Sequence, residues 1–142
     1  GRFGTLDWQP VSLISRAIPF AELVTYYRAA DVAWITPLAD GMNLVAKEFI
    51  AARVDGDGVL VLSEFAGAAV ELGSAVITNP FSHRSMDTAV VQALRMGEEE
   101  RRTRMRELRA AVKRYDIRAW GDAIREGFGR TAESGPAVRP AA

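Results

Sequence analysis

Pro37-Leu38-Ala39-Asp40-Gly41-Met42-Asn43-Leu44-Val45-Ala46-Lys47-Glu48 is the stretch that decides how this chain is arranged. Before it stands a continuous apolar run, Val32-Ala33-Trp34-Ile35, which reads as a buried parallel strand; after it, residues 44–52 carry the apolar periodicity of a helix. Asp40-Gly41 supplies the turn, with Gly41 free to take a positive φ, and Asn43 is a favoured N-cap. In open α/β sheets ligands bind beyond the carboxyl ends of strands, where a helix N-terminus offers unpaired N–H groups and partial positive charge to an anion. This loop is therefore the expected site. With the helix beginning at Leu44, Glu48 lies one turn on, on the same face, and its side chain leans back toward the helix start. A carboxylate there suits a neutral diol such as a ribose better than a phosphate. The same residues also suit an ordinary turn, an ordinary cap and, for Lys47 with Glu48, a solvated surface pair.

The composition sets bounds around this reading. A chain of 142 residues with 49% hydrophobic content is one domain, or a piece of one, with ample material for a packed core. Eighteen basic residues balance eighteen acidic ones, so no bulk field argues for nucleic acid or a membrane surface, and neither is expected as a partner. The absence of cysteine removes disulfides, thiol catalysis and cysteine-ligated metal. No apolar run approaches the roughly 20 residues that span a bilayer, and no signal-peptide pattern opens the chain; a cytoplasmic location is the expectation. The first residues, Gly1-Arg2-Phe3-Gly4, read as mid-domain sequence without an initiating Met, so a fragment is expected.

Residues 1–8 are turn-rich, and 11–14 are short and apolar enough for a strand. Pro19 opens a helix over 20–30 whose Leu23, Tyr26 and Ala30 fall on one face. After the site helix, Asp55-Gly56-Asp57-Gly58 contains the Asp-x-Asp pattern of metal-dependent glycosyl transfer, but paired Asp-Gly steps between a helix and the strand Val59-Leu60-Val61-Leu62 are what a surface turn requires. No metal site is expected. Ser63-Glu64-Phe65-Ala66-Gly67 follows that strand and should border the same crevice as Asp40, with Ser63 capping a short helix over 66–72 that Gly73 ends, and Glu64 either facing a ligand or merely favouring the helix dipole. A third strand is expected over 75–78. His83, the only histidine, stands in a polar loop and reads as surface. Ser85 is the expected cap of a helix carrying Met86, Val90 and Leu94 on one side. The run Glu98-Glu99-Glu100 with Arg101, Arg102, Arg104 and Arg106 reads as helix support, with Glu98/Arg102 and Glu100/Arg104 at i, i+4 and a buried stripe of Met105, Leu108 and Val112. Asp116 caps a last helix with Ile117, Trp120, Ile124 and Phe128 on one face, a stripe in want of a surface to cover. Residues 131–142 lack periodicity and are expected to be disordered, leaving 1–130 as the domain. Strands alternating with helices make the fold class α/β with a parallel, Rossmann-like sheet.

Thr36-Pro37-Leu38, Asp40 through Glu48, and Gly58-Val59-Leu60-Val61-Leu62-Ser63-Glu64-Phe65-Ala66-Gly67-Ala68-Ala69 together resemble glycosyltransferase family 20, over about residues 1–128. Members generally carry Arg where this chain has Ala39. The resemblance implies the C-terminal portion of the nucleotide-sugar domain of a GT-B enzyme, whose active site is completed by an N-terminal domain missing here, so the isolated fragment is expected to be inactive. It implies retaining transfer of glucose from ADP-glucose or UDP-glucose, as co-substrate, to a phosphorylated acceptor, with no metal and no further cofactor. Carried onto this chain, it makes Asp40 the catalytic residue holding sugar hydroxyls with the Gly41 and Met42 backbone. Asn43, Leu44 and Val45 offer N–H groups to the leaving diphosphate, Ala46 and Lys47 complete the donor segment, Glu48 takes the ribose, and Ile18 stands near the base. Ala33-Trp34-Ile35-Thr36-Pro37-Leu38, 69–72, Thr78-Asn79-Pro80, Ser85-Met86-Asp87 and Lys113-Arg114-Tyr115-Asp116 are more similar to members that make glucosylglycerol phosphate, a compatible solute, from ADP-glucose and sn-glycerol 3-phosphate than to members that make trehalose 6-phosphate. A non-catalytic nucleotide-binding module is the alternative from another class.

Overall fold

The computed structural model describes residues 3–5 and 7–133, except for the side chains of 127–133. Along the chain come α1 (Phe20–Ala29), β1 (Val32–Ile35), α2 (Leu44–Ala52), β2 (Val59–Ser63), a short 3-10 helix (Gly67–Val70), β3 (Val76–Thr78), α3 (His83–Arg95), α4 (Glu98–Arg114) and α5 (Ile117–Glu133). The strands form one parallel sheet in the order β1-β2-β3, with Trp34 beside Val61 and Val61 beside Val76. No described helix is long and apolar enough to cross a membrane.

The centre is β2, buried along its whole length. Leu60 and Leu62 meet Phe49 and Ile50 of α2 and Met105 and Leu108 of α4 on one face. Val59 and Val61 meet Val76 and the α3 residues Ala89 and Ala93 on the other. A strand covered on both faces needs apolar residues at every position, which is why Val-Leu-Val-Leu does not alternate with polar residues. Each large side chain buried here contributes about 2 kcal/mol, so these few positions carry most of the core's stability. Met105 and Leu108 are the stripe expected of α4, and Val112 packs partly buried beside them. On its outer side Arg102 meets Glu98 at 2.9 Å and Arg104 meets Glu100 at 2.8 Å, as the spacing requires.

Several elements differ from the sequence reading. The strand expected over 11–14 does not form, and Val11 and Leu13 are exposed: none of the described strands pairs with these residues, and an apolar run is a strand only once its backbone groups have a ladder partner. β1 forms as expected but is half-buried rather than buried: as the sheet's outer strand it leaves Trp34 exposed, its indole N–H donating to Thr36 Oγ1 at 3.1 Å. In α1 the inward side chain after Leu23 is Tyr27, packed partly buried against the core, while Tyr26 is exposed. Spacings of three and four residues both return to one helix face, and only the contact with α2 chooses between them. Ser63 ends β2 fully buried and caps no helix; its Oγ accepts from Phe65 N–H at 3.1 Å, and the expected helix over 66–72 shrinks to the 3-10 helix. Ser82, not Ser85, caps α3 by accepting from Ser85 N–H at 3.2 Å, and Ser85 Oγ instead accepts from Asn79 N–H at 3.0 Å. The buried α3 residues are Ala89 and Ala93, whose small size lets the helix close on the sheet, while Leu94 is exposed. His83 is exposed, as the first residue of α3 rather than in a loop.

Three arginines lock these layers together. Arg53, only 6% exposed, donates from Nη1 to the Tyr27, Arg28 and Ala30 carbonyls at the end of α1, while Asp55 holds its Nη2 at 2.9 Å. Arg109 of α4 does the same for the end of α2, donating to the Ile50, Ala51 and Arg53 carbonyls at 2.9, 3.1 and 3.0 Å. A cation on the last carbonyls of a helix satisfies orphan acceptors and opposes the macrodipole. Arg101 reaches Asp57 at 2.8 Å. The two carboxylates of the Asp-x-Asp turn thus face different guanidinium groups, and the turn's glycines take the positive φ its path requires, Gly56 at 74° and Gly58 at 106°.

Asp116 caps α5 as expected, accepting from Arg118 and Ala119 N–H at 3.0 and 2.9 Å. The stripe of α5 stands open, with Ile117 76%, Trp120 54% and Ile124 39% exposed; the Phe128 side chain lies outside the described residues. The helix runs to Glu133, past the boundary expected at 130, since Gly135 and Pro136 are the first breakers downstream. The rest of the tail expected to be disordered, 134–142, lies outside the described residues, as do Gly1, Arg2 and Leu6 of the turn-rich start.

Candidate functional site

Beyond the carboxyl end of β1, α2 begins at Leu44 with Asn43 as its cap, the boundary and cap that the sequence indicates. Asn43 Oδ1 accepts from Ala46 N–H at 3.0 Å, satisfying one orphan donor of the first turn. The positive φ falls on Asn43, at 69°, and not on Gly41. Asparagine tolerates the left-handed region because its short amide bonds locally, and here that bond is visible: Asn43 Nδ2 donates to Asp40 Oδ2 at 3.0 Å. Met42 N–H donates to Asp40 Oδ1, also at 3.0 Å. The Asp40 carboxylate is held below the usual range, first by the Met42 N–H and then by Asn43, so it is anionic at neutral pH. It organises the loop from inside. Each oxygen keeps lone-pair capacity for an outside donor, because a carboxylate has about four acceptor positions.

The loop after β2 is fastened to this one. Asp40 and Ala66 form a parallel bridge, with Asp40 N–H donating to Phe65 O at 3.2 Å, Gly67 N–H to Asp40 O at 2.8 Å and Ala68 N–H to Met42 O at 2.8 Å. The expectation that 63–67 borders the same crevice as Asp40 is met by direct backbone pairing. Gly67 is required by that closeness: a Cβ there would lie 2.1 Å from Gly41 O. A Cβ at Gly41 itself would meet nothing within 4 Å, so the opposite side of the turn is open. Leu38, Met42, Phe65 and Phe81 stand exposed around the strand ends, with Phe65 and Phe81 edge to face at 5.5 Å.

The expected site residues separate into groups. Met42 N–H and Ala46 N–H are engaged within the protein, and the Ala46 side chain is buried in the core. Asn43 N–H lies toward the Asp40 carboxylate. Leu44 and Val45 N–H have no protein acceptor among the described residues, and they sit in an exposed first turn with the helix dipole behind them. Lys47 and Glu48 are not a solvated pair. Lys47 Nζ lies 2.5 Å from Glu71 Oε2, while Glu48 is half-buried and accepts from the Tyr27 hydroxyl at 3.1 Å. Glu48 Oε1 has no protein donor among the described residues. Ile18 is half-buried in the segment before α1, outside both core clusters. Tyr27 is a site residue that sequence reasoning missed, and Gly67, expected only as part of the bordering loop, proves to be its point of closest approach. Nothing in the helical period distinguishes Tyr27 from Tyr26, and a glycine after a strand has many reasons to be there. The described residues contain no group of three or more His, Cys, Asp or Glu suited to a metal ion.

Comparison with known proteins adds to this geometry. The model of glycosyltransferase family 20 matches residues 1–128. The chain is 50% identical over 129 residues to the glucosylglycerol-phosphate synthase of Synechocystis sp., covering 90% of this chain and 26% of that protein. It is 44% identical over 139 residues to the trehalose-6-phosphate synthase of Mycobacterium sp., covering 98% of this chain and 28% of that protein. Among solved structures, the trehalose-phosphate synthase of Burkholderia vietnamiensis superposes with a TM-score of 0.82 at 44% identity, over 89% of this chain and 29% of that one. An E. coli structure bound with UDP-2-fluoro glucose has the same TM-score at 40% identity, over 89% and 28%. The chain spans about a quarter of the length of the relatives it matches, and its parallel α/β fold is theirs.

Proposed function

The chain belongs to glycosyltransferase family 20, and from that premise we propose that it is the C-terminal portion, residues 1–130, of the nucleotide-sugar domain of a retaining GT-B glucosyltransferase. The observation that carries the reading is the fastened loop: a stable turn whose Asp40 is anionic, with unpaired Leu44 and Val45 N–H groups at the start of α2 and a free Glu48 oxygen on the same helix. The donor is a nucleotide diphosphate glucose, co-substrate rather than cofactor, and the reaction calls for no metal. As the bond from the anomeric carbon to the diphosphate breaks, its electron pair leaves on the phosphate oxygen; the acceptor hydroxyl oxygen bonds to the same carbon on the same face, and its proton passes to the departing diphosphate oxygen. Leu44 and Val45 N–H stabilise the charge that grows on the diphosphate; removing one such donor from an enzyme costs about 3 kcal/mol of transition-state stabilisation. Asp40, through its outward lone pairs, and the Gly41 backbone hold sugar hydroxyls, Glu48 takes the ribose, and Ile18 stands near the base.

The donor is ADP-glucose, the acceptor sn-glycerol 3-phosphate and the product glucosylglycerol phosphate, a compatible solute made in the cytoplasm. The higher identity to glucosylglycerol-phosphate synthases, 50% against 44% for the mycobacterial trehalose-6-phosphate synthases, supports this choice. The exposed stripe of α5 seats on the N-terminal domain that completes the crevice. Full-length protein offered ADP-glucose with sn-glycerol 3-phosphate, and UDP-glucose with glucose 6-phosphate, tests it: preferential turnover of the second pair refutes the acceptor, and no transfer from either donor refutes the reading as an enzyme. Within the full-length enzyme, Glu48→Gln is expected to raise the donor KM about tenfold with unfolding unchanged, because a carboxylate makes charge-assisted bonds to a diol that an amide does not.

A further inference from the structure

We propose that Tyr27 is a positioning residue for nucleoside recognition: its hydroxyl holds one oxygen of Glu48 so that the other is presented, preset in angle, to the ribose diol of the donor. The inference rests on the Glu48 reading given above and deepens it. Tyr27 belongs to α1 and Glu48 to α2, so the bond at 3.1 Å crosses between two helices and does not arise from helical spacing. The tyrosine is itself fixed. Its ring stands edge to face on Phe49, the residue after Glu48, at 6.4 Å and 83°, and Arg53 Nη1 donates to its backbone carbonyl at 3.4 Å. Phe49 is fully buried and Arg53 nearly so, which leaves the hydroxyl little freedom. Burial, followed by the neighbouring Glu48, pushes the Tyr27 hydroxyl up to about 12, so it is a protonated donor at neutral pH.

A glutamate side chain has three rotatable torsions, and fixing them at binding costs a fraction of the affinity that its hydrogen bonds contribute. With Oε2 tethered by a rigid aromatic donor, that ordering is complete before the donor arrives. Oε1, without a protein partner among the described residues, is the oxygen left for an incoming hydroxyl.

The test uses the full-length enzyme and two donors, ADP-glucose and 2′-deoxy-ADP-glucose, with wild type, Tyr27→Phe, Glu48→Gln and the double variant. Tyr27→Phe keeps the ring on Phe49 and removes only the hydroxyl. It is expected to raise the KM for ADP-glucose about fivefold with kcat within about twofold, and to shrink the discrimination between the ribose and deoxyribose donors by a similar factor. The double variant is expected to be no worse than Glu48→Gln alone, because the two residues act as one unit. Equal KM increases for both donors, or additive effects of the two substitutions, would mean that Tyr27 only supports the helix pair and would overturn the proposal. An inert Tyr27→Phe beside an effective Glu48→Gln overturns the tether alone. An inert Glu48→Gln overturns the ribose reading and the tether with it.

Discussion

Gly67→Ala puts the closest approach in the site under direct stress. The added Cβ would stand 2.1 Å from Gly41 O, 2.7 Å from Gly41 C and 3.2 Å from Met42 N, all backbone atoms that no rotamer change can move away. Ordinary contact requires the two loops to separate by roughly 1 Å, and backbone bonds of 2.8 Å do not survive that displacement. Gly67 N–H to Asp40 O and Ala68 N–H to Met42 O are lost, and Asp40 N–H to Phe65 O weakens. At about 1 kcal/mol net for each bond, the cost is about 3 kcal/mol. For 142 residues at about 2.1 cal/mol/K each, that lowers Tm by about 10 °C. Urea denaturation followed by far-UV circular dichroism measures it, and the donor KM of the full-length enzyme should rise in parallel because Asp40 and Met42 move. Gly41→Ala is the paired control: its Cβ meets no protein atom within 4 Å and its φ is not positive, so stability should change by less than about 0.5 kcal/mol. Its activity should nevertheless fall, since the open side of the turn is where the donor is proposed to lie. Wild-type stability for Gly67→Ala would refute the reasoning that this contact fastens the two loops.

Asn43→Ala should cost about 2 kcal/mol, through the lost cap bond to Ala46 and a Cβ without a local partner at φ 69°, whereas Asn43→Gly should cost clearly less; equal losses in urea denaturation would contradict the left-handed cap. The Arg101 hydrogen bond, then the Gly58 N–H and the charges of Arg101 and Arg102, lower the Asp57 carboxyl from 3.8 to about 2 against the opposing effect of burial. A folded value below the unfolded one stabilises above the unfolded value and is lost as pH falls through the folded one. The stability advantage of wild type over Asp57→Asn should therefore be constant from neutral pH to about 4 and shrink between about 4 and 2, measured by denaturation across pH. A difference that does not change with pH would show that the Asp57–Arg101 pair contributes nothing specific.

Local physics decided much of this protein before any tertiary contact. The non-alternating run at β2, the periodicity of α4 with its paired charges, Asn43 and Asp116 as caps, and the start of α2 at Leu44 were legible because each depends on near neighbours in sequence. The parallel α/β class followed, and with it a site at the strand ends. Where two local answers were equally good, only the tertiary structure chose: Tyr27 over Tyr26, Ser82 over Ser85, and a positive φ at Asn43 over Gly41. The strand that residues 11–14 could have formed needed a pairing edge, which lies outside its own sequence. The long-range ties, Arg53 to the end of α1, Arg109 to the end of α2 and Gly67 against Gly41, join residues up to dozens of positions apart. An arginine in a charged run looks the same whether it is solvated or closing a helix. Its partner is set by how helices stack on the sheet, and that arrangement exists only once the whole layer has assembled.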